Sequence, residues 1–294
     1  MVLYFKLRAF RGFCYVRKKV PDGVPLLRRR WEKSVMKLAL FILLFPIVSY
    51  ARPIVLLSHF DAFGNAPFNN STKVALALYE KLKNDPSFEL KLCNLNTVFD
   101  KSLYQLEDCL KELPETPALV LSLGEANCNF KIEVMGRNLD RTKGPDNEGN
   151  ERNNTPINPD GPKEIGFTYP LPKMYCSLPE NDRKEIEVSN NAGTFVCNNL
   201  AYQFTERYEE LSFGFIHVPS HNCRGLDNKN VAALRNLESM IRASISDNEI
   251  KRLPTRKKEI EELRADRSDK CQSEFWKRVK GFDEKGFWTI LGTR

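Results

Sequence analysis

Pro53-Ile54-Val55-Leu56-Leu57-Ser58 is a short, mainly apolar run with the character of a buried strand. A loop rich in Gly, Asn and Pro follows from His59 to Ser71. Thr72 to Lys83 then reads as a helix, with Val74, Leu76, Ala77, Leu78 and Leu82 available to its buried side. Phe88 to Leu92 alternates as a second strand. Leu103 to Leu113 reads as a helix stopped by Pro114, and Ala118 to Leu123 is another largely apolar strand. Strands alternating with helices at this spacing predict an α/β fold: a three-layer α/β/α arrangement around a mostly parallel central sheet.

The pattern breaks between Glu133 and Pro179. Gly, Asn, Pro and Asp dominate Lys143 to Pro162, which predicts a long surface excursion. Regularity returns with Glu185 to Ser189 as a strand, Thr194 to Glu206 as a helix, Phe213 to Val218 as a strand and Asn230 to Ser244 as an amphipathic helix. From Asp247 onward charge is dense and mixed, and Ile250 to Ala265 reads as one exposed helix. Phe275, Trp276, Phe282, Phe287 and Trp288 argue that this tail packs onto the body or a partner. The expected organisation is an upstream segment over 1–51, one folded domain over 52–246 and a charged helical C-terminal extension over 247–294.

Charge is uneven along the 294 residues. Residues 1–51 hold eleven Lys or Arg against Asp22 and Glu32, a net of +9, which leaves about −2 for the rest of the +7 total. A nucleic-acid binder keeps its basic excess in the folded part, so nucleic acid is excluded as a partner. The basic excess instead precedes an apolar run, Leu38 to Val48, followed by Ser49-Tyr50-Ala51. That is the layout of a secretory signal peptide, and the run is shorter than the roughly 20 residues of a spanning helix. The expectation is an exported protein, periplasmic or secreted, without stable membrane association after cleavage; an uncleaved segment would leave it membrane-anchored. Cys14 lies in the part to be lost. The seven cysteines that remain (93, 109, 128, 176, 197, 223 and 271) give three disulfides and one free thiol in an oxidising compartment. Sequence does not fix the pairing; Cys93 with Cys109 and Cys223 with Cys271 are conceivable.

Cys197 opens a predicted helix, after Asn191-Ala192-Gly193-Thr194. Amide donors and the dipole at a helix start favour a thiolate, and the same amides can hold an oxyanion. A nucleophilic thiol also needs a base, and the folded region offers His59, His217 and His221. His217 ends a strand, in Phe215-Ile216-His217-Val218-Pro219, where open α/β folds place their sites. Acidic residues are too numerous for composition to select a third member. The histidines are too few and too scattered for a zinc site, so no metal and no cofactor is expected.

Several stretches resemble the pyroglutamyl peptidase I family of cysteine peptidases, in the family's order. Phe60-Asp61-Ala62-Phe63-Gly64 resembles its opening Gly-Phe-Glu-Pro-Phe-Gly, and Asn69 falls where the family has an Asn. Pro145-Asp146-Asn147 matches its Pro-Asp-Asn block. Leu178-Pro179 and Ser189 to Asn198 match its nucleophile segment, and Phe215 to Pro219 its histidine segment. The resemblance spans roughly Pro53 to Ser244 and makes 52–246 a pyroglutamyl peptidase-like catalytic domain. It implies Cys197 as nucleophile, His217 as its base and Glu133 as the carboxylate that orients His217, with Asn138 matching the Asn of the same segment. It further implies that Phe60, Phe63, Asn69, Glu125, Phe195 and Val196 line the substrate site, with Phe60, Phe63 and Phe195 around the lactam ring. The implied reaction hydrolyses the amide after an N-terminal pyroglutamyl residue through a thioester, on peptides or proteins with that blocked terminus. A dimer or tetramer is implied on the same ground.

This chain departs from the family's pattern in several places. Gly-Gln-Ala-Gly-Gly-Arg appears as Gly124-Glu125-Ala126-Asn127-Cys128-Asn129, two residues closer to Glu133. His59 replaces a Gly, Val134 replaces an Arg, and Lys143 keeps only the charge of another Arg. Glu125 in place of a neutral amide gives a second reading: an exported thiol amidase or peptidase that recruits a cationic or amide-bearing group. A third is a non-catalytic peptide-binding relative.

Overall fold

The structure is a computed structural model that describes residues 52–142, 144–246 and 270–279. The predicted first strand is β1 (Ile54–Phe60), buried along its whole length. It is followed by α1 (Asn70–Leu82), β2 (Glu89–Leu95), α2 (Lys101–Lys111) and β3 (Leu119–Glu125). The predicted excursion is less irregular than its composition suggested. It carries β4 (Lys131–Glu133), β5 (Met135–Arg137), β6 (Glu164–Gly166) and α3 (Leu171–Cys176). A short charged helix α4 (Glu180–Glu185) leads into β7 (Glu187–Ser189), and α5 (Val196–Arg207), β8 (Phe213–Val218) and α6 (Leu226–Ile245) complete the domain. Strands of three residues have no periodicity to read, and the turn residues around β4 to β6 conceal them.

The main sheet runs β2-β1-β3-β8-β4-β7. β1 pairs in parallel with β2 and β3, β3 with β8, and β4 with β7; only the β4–β8 pair is antiparallel. The expected mostly parallel α/β sheet is therefore present. β1 to β2 moves one way across the sheet and β2 to β3 moves back past β1, so right-handed crossovers set α1 and α2 on opposite faces. Consistently, α1 packs on α6 and α2 on α5. The reversal between β1 and β3 opens a crevice at the strand C-termini, where such sheets hold their ligands.

Local chemistry fixes the helix starts near that crevice. Asn69 is the N-cap of α1, its side chain accepting from Ser71 N; such a cap contributes about 1 kcal/mol. Phe195 at the start of α5 makes no side-chain cap bond, so that first turn keeps amide donors for another acceptor. Gly193 just upstream has φ +89°, a left-handed conformation that glycine adopts without strain.

Three disulfides form: Cys93–Cys109, Cys128–Cys223 and Cys176–Cys271, with Cys197 the free thiol among the described residues. The conceivable Cys223–Cys271 pair does not occur. β3 and β8 are neighbours, so the loops that follow them meet and join Cys128 to Cys223, 95 residues apart. Cys271 instead lies on a C-terminal helix, α7 (Lys270–Arg278), that packs on α3 and β7. Phe275 of α7 is fully buried, its ring 5.2 Å from Tyr175, and Trp276 packs partly buried beside it. Helix α7 thus packs through Phe275 and Trp276, two of the five aromatics noted in the sequence. The signal-like segment, Lys143, the helix expected over Ile250 to Ala265, and Phe282, Phe287 and Trp288 lie outside the described residues. No described helix is long and apolar enough to cross a membrane.

Candidate active site

Cys197 is the second residue of α5, half-buried at the helix N-terminus. Beneath it lies Gly124, near the end of β3. A methyl group at Gly124 would fall 2.9 Å from the Phe215 ring and 3.0 Å from Cys197 Sγ, so the thiol occupies space that only glycine leaves open. Gly124 is the cross-strand partner of His217 on β8, which brings the imidazole to the same face of the sheet as the thiol. His217 Nδ1 is 2.7 Å from Glu133 Oε1, and both residues are buried. With Nδ1 directed at Glu133, Nε2 is the nitrogen left for the sulfur.

The electrostatics follow from this geometry. Burial opposes a charge on His217, yet hydrogen bonds to Cys197 and Glu133, and the negative charge on both, hold the imidazolium well above the ordinary histidine range. Glu133 has no exposure, and its second oxygen, Oε2, has no hydrogen-bond partner among the described residues. Its carboxylate is therefore spent on one contact, the imidazole. Such a charge persists in the interior only beside a compensating partner.

The aromatic side chains divide into a wall and a floor. Phe63 is 41% exposed, with its ring 4.9 Å from that of Phe195. Phe60 is buried against Phe215, which in turn stacks 5.0 Å from His217. Val196 points into the core, fully buried.

Besides Val196, two of the expected lining residues are directed elsewhere. Side chains alternate along a strand, so Glu125, next to Gly124, projects to the opposite face of the sheet from the thiol. There its carboxylate accepts from Asn70 N at 2.5 Å, Ser220 Oγ at 2.7 Å, His221 N at 3.1 Å and the His221 ring at 2.6 Å. Burial works against ionisation, but these hydrogen bonds win and hold the carboxyl below the usual range. Glu125 ties the start of α1 to the loop after His217. Asn69 is likewise consumed, accepting from Ser71 and donating Nδ2 to Asp61 O at 3.0 Å. Asn138 holds the excursion, donating to Asn158 O and Gly161 O.

Sequence reasoning passed over Phe99, whose ring meets Phe195 edge-on at 5.2 Å and extends the wall. It also gave the Pro145-Asp146-Asn147 block no role. Asp146 is buried and accepts from Phe99 N at 3.0 Å and from Asn150, while Asn147 donates Nδ2 to Ala62 O at 2.7 Å and accepts from Gly64 N at 3.1 Å. The block staples the Phe63 loop to the Phe99 loop, which sets the aromatic wall. Among the described residues no group of three or more His, Cys, Asp or Glu side chains is placed to hold a metal ion.

The sequence model of the pyroglutamyl peptidase family matches residues 54–246. The chain belongs to the pyroglutamyl peptidase family. It is 30% identical over 197 residues to the pyrrolidone-carboxylate peptidase of Thermosipho africanus, covering 65% of this chain and 93% of that one. To the pyrrolidone-carboxylate peptidase of Bacillus cytotoxicus it is 35% identical over 171 residues, covering 56% and 77%. The fold is similar to the crystal structure of pyroglutamyl peptidase I from Bacillus amyloliquefaciens, with a TM-score of 0.56, 26% identity and coverage of 66% of this chain and 95% of that one. As a member of the pyroglutamyl peptidase family the chain is a cysteine-type hydrolase. Helix α7 and Cys271 lie beyond the family match, whereas every element of the site lies within it.

Proposed function

We propose that the chain removes N-terminal pyroglutamate from peptides and proteins, with Cys197 as nucleophile, His217 as general base and acid, and Glu133 as the group that orients His217. The thiolate of Cys197 attacks the carbonyl joining pyroglutamate to the next residue, and the first-turn amides of α5 hold the oxyanion. His217 Nε2–H gives its proton to the leaving amine as the C–N bond breaks, which leaves a thioester on Sγ. Water then attacks the thioester, His217 takes its proton, and pyroglutamate departs as the thiol reforms. The observation that supports this reading most is the 2.7 Å Nδ1–Oε1 contact in a buried setting beside the thiol.

The wall of Phe63 and Phe195 suits a small, flat, uncharged lactam. An ordinary amino terminus would have to shed the hydration of its ammonium there, which is costly. The discriminating experiment compares release of a fluorescent amine from pyroglutamyl and prolyl amides, which share a five-membered ring but differ in that charge. Turnover of the pyroglutamyl amide alone is expected; equal or better turnover of the prolyl amide would overturn the substrate assignment. The amidase reading that relied on Glu125 loses its support, since that carboxylate engages α1 and the 220–221 loop.

We further propose that the protein works after export, on the strength of the basic and apolar upstream segment together with three disulfides. The mature protein is expected to begin near Arg52, and its intact mass should rise by six hydrogens on reduction. A mature chain that retains residues 38–48, or shows no mass change, would refute this.

A further inference from the structure

Tyr169 is buried against the two strands that carry His217 and Glu133. Its hydroxyl donates to the main-chain oxygen of Glu133 at 2.6 Å and lies 3.4 Å from that of Phe215. Those two residues are partners across the antiparallel β4–β8 pair. The ring lies flat on Gly214 of β8, where a methyl group would come within 2.2 to 2.4 Å of ring carbons. The segment leading to the ring is fastened to the same strands: Phe167 N donates to Val134 O at 3.0 Å and Tyr169 N to Phe213 O at 2.9 Å.

The Glu133 carboxylate has little else to locate it. Oε2 has no partner among the described residues, Oε1 meets the imidazole, and β4 is three residues long. The position of that carboxylate is therefore inherited from its main chain, and the Tyr169 hydroxyl holds that main chain against β8. We propose that Tyr169 is a positioning residue for the reaction, fixing the backbone of Glu133 so that Oε1 meets His217 Nδ1. The proposal rests on the assignment of Cys197, His217 and Glu133 given above. Burial, with the nearby Glu133 charge, keeps the phenol well above its ordinary pKa, so it remains a donor throughout the working range.

The test reads the thiolate directly. Alkylation of Cys197 by iodoacetamide at pH 6 reports thiolate held by the imidazolium, whereas at pH 9.5 thiolate forms without such help. Tyr169→Phe keeps the ring on Gly214 and removes one buried donor. It is expected to slow alkylation at pH 6 about tenfold while leaving the rate at pH 9.5 unchanged, and to lower kcat by a similar factor with KM unaltered. Glu133→Gln should produce a larger loss of the same kind, and adding Tyr169→Phe to Glu133→Gln should change nothing further. A normal pH 6 to pH 9.5 ratio in Tyr169→Phe, with a reduced one in Glu133→Gln, would overturn the role of Tyr169 alone. Additive losses in the double variant would also overturn it. A normal ratio in Glu133→Gln would remove the catalytic assignment and Tyr169 with it.

Discussion

Cys197→Ala is expected to abolish hydrolysis of a pyroglutamyl amide, by a factor on the order of a million, while the folded state survives. The size of the loss reflects a side chain that forms the covalent intermediate and cannot be replaced by water held in the same place. Survival follows from the surroundings. The thiol is half-buried and forms no disulfide; its removal takes away one sulfur's packing over Gly124 and its hydrogen bond to His217, which keeps Glu133 as a partner, a cost of about 1 kcal/mol. A fluorogenic assay and a melting curve on the same preparation check both parts. Measurable residual turnover that resists iodoacetamide would show that another group does the chemistry.

His217→Ala is expected to lose at least about a thousandfold in kcat/KM, since one side chain prepares the nucleophile and protonates the leaving amine. Unlike the cysteine variant, it should also unfold more easily. Glu133 is wholly buried, Oε2 is already without a partner, and loss of the imidazole strands the remaining oxygen. Uncompensated buried charges of this kind cost about 3–5 kcal/mol. The double variant Glu133→Gln/His217→Ala should therefore recover much of the stability of His217→Ala without recovering activity. Denaturant midpoints and kcat/KM for the two variants test this. Full turnover in His217→Ala would dismiss the base assignment, and a double variant no more stable than the single one would dismiss an ionised Glu133.

Much of the fold was legible because long buried strands announce themselves. Ile54 to Leu57, Leu119 to Leu123 and Phe213 to Val218 are buried throughout and largely apolar, with only Ser122 and His217 polar, as suits strands covered on both faces. The helices between them read from their apolar spacing to within a few residues. β4, β5 and β6 were hidden because three residues are too few for a period, and β4 is the strand that carries Glu133. The thiol and the imidazole were marked by a helix start and a strand end and then by family-like stretches; the acidic member, which spacing left open, came from those stretches alone. Glu125 shows the limit most clearly. Its neighbour Gly124 touches the thiol, so the sequence placed it close, but a single step along a strand reverses the face, and the hydrogen bonds to Asn70 and His221 lie on the far side. Tyr169 and Phe99 gave no local signal, because what they contact comes from distant parts of the chain and exists only after folding.

The Cys176–Cys271 bond gives the protein an edge that differs from the edge of its recognisable homology. A version trimmed at residue 246 would retain every group of the site yet orphan Cys176, giving Cys197 a rival sulfhydryl under oxidising conditions. The smallest piece that can be handled as a self-sufficient molecule therefore extends at least through Cys271, and residues 176–271 form a covalent ring that a single backbone nick would open without shedding either end.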